Sequence, residues 1–134
     1  MNLRLEEQVL CEVQGRLFEN SVKAGYDSVE FIEKFMNSET ARHLDMDYDR
    51  LQWMGEQYLL SELDDEVHLK KGKTLNSEMM FWTGYLYRFW HYYTKESSRE
   101  IVQIADSDTM RGCWYGYHTL DPKMAVDRLK NIEL

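Results

Sequence analysis

The segment EMMFWTGYLYRFWHYY, Glu78–Tyr93, decides the fold, because its last thirteen positions hold eight aromatic rings. At about a hundred degrees per residue, Met79, Trp82, Leu86, Phe89 and Tyr93 share one side of a helix, the expected core face. Gly84, Tyr87, Arg88 and His91 fall on the other side. A helix that is apolar on nearly every side belongs in the middle of a bundle. The pattern also admits a sharper reading. Tyr87, Arg88 and His91 would then form a polar recognition face, with Gly84 letting another chain or ligand approach closely.

Working outward, the neighbouring segments also read as helices. Asn76 or Ser77 caps the aromatic helix. From Leu3 to about Asn20, Leu10, Val13 and Leu17 recur at helical spacing, which predicts an amphipathic amino-terminal helix. Its stripe, Leu3, Leu10, Val13 and Leu17, is free either to pack on the domain or to pair with a second copy. Gly25 breaks the pattern, and Ser28 is placed to cap a short helix carrying Phe31, Ile32, Phe35 and Met36. A longer helix is expected from about Tyr48 to Glu66, with Leu51, Met54, Tyr58 and Leu59 inward and Trp53, Leu60 and Leu63 widening that face.

The stretch KKGK, Lys70–Lys73, reads as a basic, flexible loop. A small hairpin around it is disfavoured because nothing else supplies strand partners. Ser97 and Glu100 have capping-box spacing, and Asp121 before Pro122 is a favourable helix start. Met124, Val126, Leu129 and Ile132 run along the last helix. The expectation is one all-α domain over residues 1–134, a compact bundle of about six helices around the aromatic one.

Sixteen basic and 24 acidic residues give the 134-residue chain a net charge of −8. That disfavours a large phosphate-gripping surface, and nucleic acid is not the expected partner. No run is long enough to be a membrane span, the start lacks a signal-peptide core, and the cytoplasm is the default location. Cys11 and Cys113 show neither disulfide nor zinc spacing. The acidic run Glu62, Asp64, Asp65 and Glu66 closes a helix, where the dipole favours cations. It reads either as a solvated end or as a lure for a basic partner.

Chemistry is sparse. Asp64 or Asp65 with His68 supplies too few ligands for a metal centre, and no phosphate loop or nucleophile elbow is present. No metal or cofactor is expected. An enzyme built on Cys113 and a histidine is kept only as a reservation. Residues 99–117 have a helix–turn–helix outline, with Arg99 and Arg111 as candidate DNA contacts, although a recognition helix usually carries more donors. There, Ile101, Ile104 and Ala105 would face Met110 and Trp114, and Gly112 and Gly116 would let helices pack closely.

The strings FIEKFMNSETARHLD, YDRLQWMGEQYLL, FWTGYLYRFWHYYTKESSREI and HTLDPKMAVDRLK resemble a group of small bacterial proteins from toxin–antitoxin-like gene neighbourhoods. Some of these lie beside ADP-ribosyltransferase-like toxins. The resemblance runs from Ser28 to Leu129 and carries no defined functional residues. It implies a non-enzymatic antitoxin or accessory partner that binds a cognate toxin-like protein, basic at the contact. A small DNA-binding regulator using residues 99–117 is the alternative.

Overall fold

The computed structural model describes residues 2–131, and Ile132 lies outside them. The described residues form eight α-helices and one 3-10 turn, with no strand. In chain order these are α1 Leu5–Lys23, α2 Ser28–Met36, α3 Glu39–Asp45, the turn Arg50–Trp53, α4 Glu56–Val67, α5 Ser77–Thr94, α6 Ser98–Ile104, α7 Ser107–Tyr117 and α8 Pro122–Lys130. The all-α expectation holds. The number of helices exceeds it: α3 forms behind a Ser38 cap where no helix was expected, and residues 98–117 hold two helices, α6 and α7.

The caps show why the chain breaks where it does. Asn76, Ser97, Asp106 and Asp121 each accept a backbone N–H from the first turn of the helix that follows. Each satisfies a donor that has no partner within its helix. Glu100 completes the capping box by accepting from the Ser97 amide at 3.0 Å. At α2 the cap is Asp27 rather than Ser28. The Ser28 hydroxyl instead accepts from the Leu75 amide at 2.9 Å.

Residues 70–73 are tied down rather than loose. Asp27 and Ser28 donate to the Lys70 and Lys73 carbonyls, and Gly72 donates to Gly25. The result is a single bridge between Tyr26 and Lys71, with no hairpin.

The core is built on α1 crossing α5. Phe81 lies over Gly15, Gln14 reaches the Gly84 carbonyl, and Gln14 also meets Arg88. Positions falling along α1 thus match positions rising along α5, so the two helices are antiparallel. Leu10, Val13 and Leu17 are buried in this crossing. The stripe considered for a homodimer therefore packs inside its own chain, and the exposed large apolar residues of α1 are Leu5 and Val9.

A ring cluster and one buried hydroxyl complete the interior. Phe18 meets Phe31 and Phe35 edge to face at 5.1 and 5.3 Å, the geometry that aromatic quadrupoles favour. The Tyr87 hydroxyl donates to the Ala105 carbonyl at 2.6 Å and joins α5 to the end of α6.

Gly84 is a close-approach site. A Cβ there would lie 2.5 Å from the Gln14 carbonyl oxygen and 2.7 Å from the Phe18 ring. Gly112 and Gly116 are different, since a Cβ on either meets nothing within 4 Å. Their expected role in close helix packing is not realised. Gly84→Ala should cost about 2–3 kcal/mol through overpacking. Gly112→Ala should gain up to about 1 kcal/mol of helix propensity. Chemical denaturation of both variants checks the contrast.

Candidate functional site

The face of α5 considered for recognition is the most deeply enclosed part of the helix. Tyr87 and Arg88 are each 1% exposed, so they do not form a surface. The Arg88 guanidinium donates from Nε to Gln14 Oε1 at 2.9 Å and from Nη1 to Asp45 Oδ1 at 2.8 Å. Asp45 also accepts from the Ser98 amide and hydroxyl, both at 2.8 Å. A buried cation is tolerable only when paired and hydrogen-bonded. This one is, and it joins α1, α3, α5 and α6 at one point.

His91 sits beside this pair, with Nδ1 2.7 Å from the Glu96 carbonyl and 3.7 Å from Asp45 Oδ1. The carbonyl can only accept, so Nδ1 carries the proton. Burial and the neighbouring Arg88 guanidinium hold the imidazole below the ordinary histidine range, although Asp45 opposes them. His91 lines a cleft of 280 Å³ that also includes Glu6, Asp45, Asp47, Tyr48 and Trp53.

The acidic run at the end of α4 divides into two pairs. Glu66 accepts from the Glu39 and Thr40 amides at 2.8 and 3.1 Å, and so caps α3 from another helix. Asp64 accepts from the Leu69 amide at 2.9 Å and closes the turn after α4. These acids oppose their own helix dipole because they serve neighbouring amides. This capping does not use Glu62 or Asp65, which line a 440 Å³ groove with Glu39, Asp49 and Tyr58.

The segment between α3 and α4 departs most from the sequence expectation. One helix from Tyr48 to Glu66 is replaced by the short 3-10 turn, a break at Gly55 with φ of 81° and then α4. The left-handed backbone at Gly55 suits glycine and ends the helical register. Trp53, Met54 and Tyr58, expected inside, therefore point outward, as does Tyr48 at the start of the segment. Tyr48 is 82% exposed and Trp53 74%, with Met54 and Tyr58 also exposed.

The segment is nevertheless anchored. Asp49 accepts from the Leu51 amide at 2.9 Å and meets His43 Nδ1 at 2.7 Å. Gln52 Nε2 donates to the Met46 carbonyl at 2.6 Å. Trp53 also borders an apolar groove formed with Leu5, Val9 and Leu10. One anchored segment thus separates an acidic groove from a cleft and an apolar groove. Apolar periodicity missed it, whereas Gly55 beside Trp53 and Met54 was the available signal.

The other expected sites are dispersed. Helices α6 and α7 follow the helix–turn–helix outline, and Met110 is buried, but Ile104 is exposed. Arg99 donates to the Asn37 carbonyl at 3.0 Å, and Arg111 pairs with Asp108 at 3.1 Å. Burial pushes the Cys11 thiol up to about 12 and also raises that of Cys113, which is half-buried. Among the described residues no group of three or more His, Cys, Asp or Glu side chains is placed to hold a metal ion. Comparison with protein-family models, curated proteins and solved structures finds no match to this chain.

Because folded His91 resists protonation, the unfolded chain takes up this proton more readily. The stability linked to His91 is therefore present above about pH 6.5 and is lost as pH falls below it. Carboxylate titration acts lower, below about pH 4.5. Urea midpoints should fall between these limits in the parent protein and fall less in His91→Gln.

Proposed function

We propose that this protein is a non-enzymatic interaction module, the antitoxin or accessory partner of a bacterial toxin-like protein in the cytoplasm. It binds that partner through the anchored segment 46–58 and the grooves beside it. The observation that carries this reading is the clustering of exposed Tyr48, Trp53, Met54 and Tyr58 within eleven residues. Large exposed apolar patches mark interaction sites, and Trp and Tyr are typical anchors of binding energy. An anchored segment also loses less conformational freedom on binding than a loose one.

Charge narrows the partner. Glu39, Asp49, Glu62 and Asp65 line the adjacent groove, and the whole chain carries a charge of −8. A second copy would bring like charge to this acidic rim, whereas a basic surface would be drawn to it. The sequence resemblance to proteins from toxin–antitoxin-like neighbourhoods supplies the toxin-like identity of that basic partner.

The test is co-expression with the product of the adjacent gene, followed by co-purification and a toxicity assay. The pair should co-purify, and toxicity should fall. Trp53→Ala should weaken the complex by about thirtyfold, as truncation of a central anchor does, without changing the melting temperature. Glu62→Gln with Asp65→Asn should slow association at low salt and have little effect at high salt. Failure to co-purify, or capture unaffected by Trp53→Ala, contradicts the proposal.

A further inference from the structure

A second groove lies on another face and shares no lining residue with the surfaces around Trp53. It has a volume of 440 Å³ and runs between the outer side of α5 and the carboxyl end of α7. Phe81, Trp82 and Tyr85 line it from α5, Trp114 from α7, and His118 from the residue that follows. Phe81 and Tyr85 stack at 6.3 Å, and Trp114 and His118 at 4.8 Å. Glu78 contributes a carboxylate, and no Lys or Arg is among the lining residues.

We propose that this groove binds a methylated ammonium group. The faces of Trp, Tyr and Phe are electron-rich and attract a cation, most strongly when it is easily stripped of water. Glu78 adds full negative charge at the same place, so ring quadrupoles and carboxylate favour the same kind of ligand. Several rings around a weakly hydrated cation give the recognition mode used for quaternary ammonium ligands.

The lining disfavours closer competitors. A primary ammonium keeps its water tightly and would need several acceptors to replace it, whereas the lining holds a single carboxylate among mostly aromatic and apolar side chains. A nucleobase has hydrogen-bonding edges that this lining would leave unpaired, at a desolvation cost. The His118 Nδ1 proton is already directed to the Trp114 carbonyl at 2.8 Å. Two sources supply the required group: a free choline-type molecule or the side chain of a trimethylated lysine.

The test uses the four tryptophan indole N–H signals of the full-length ¹⁵N-labelled protein. Choline should shift the Trp82 and Trp114 signals saturably while those of Trp53 and Trp90 stay in place. Its uncharged carbon isostere, with a tert-butyl group in place of the trimethylammonium, should bind about tenfold more weakly. The exposed Glu78→Gln substitution should reduce choline affinity severalfold, and Trp114→Leu should abolish the Trp82 shift. Tighter binding by a trimethyllysine peptide than by choline assigns the site to a protein side chain, and the reverse assigns it to a free ligand. Equal binding of choline and its isostere, stronger shifts with adenosine, or no saturation would each overturn the proposal.

Discussion

The fold depends on one buried cation and the three groups that hold it. Arg88 comes from the middle of the aromatic helix, Gln14 from α1, Asp45 from the end of α3, and Ser98 from the first turn of α6. Removing one partner from such a cluster costs about 3–5 kcal/mol, because the remaining charge stays buried. Apolar packing alone tolerates sliding between helices. A planar guanidinium with fixed donors does not, so the cluster sets the register of four helices at once.

That register shapes the surface. Fixing Asp45 fixes the end of α3, from which the segment toward α4 departs. Its path is then held by Asp49, Gln52 and the break at Gly55. The chain that follows the most constrained point of the core is the one that displays Tyr48 and Trp53 to water. Exposure of these rings costs solvation free energy, which is what supports the binding role proposed for them. The acids nearby have two duties: Glu66 and Asp64 complete backbone hydrogen bonding, while Glu62 and Asp65 face the groove.

Local rules were legible in the sequence where the physics is local. The caps at Ser97 and Asp121 and the central place of the aromatic helix follow from side chains a few residues apart. Arg88 was harder to place, because its partners lie 74, 43 and 10 residues away. Without them in view, an arginine on a helix looks like a surface residue. Trp53, Met54 and Tyr58 fit a helical stripe on paper, and the positive φ at Gly55 overrides that stripe. Gly112 and Gly116 resemble a packing motif, yet a Cβ on either would meet open space. Of the candidate interaction surface, Glu62 and Asp65 were found from charge, whereas the rings at its centre were assigned to the interior.

The central claim is that the Arg88 guanidinium is locked and shielded from water. The direct measurement is hydrogen exchange of the arginine Nε–H groups by ¹H–¹⁵N NMR after transfer into deuterated buffer. The account predicts that the Arg88 Nε–H signal, held by Gln14, persists long after that of exposed Arg50 has gone. Loss of the Arg88 signal as fast as that of Arg50 would contradict it.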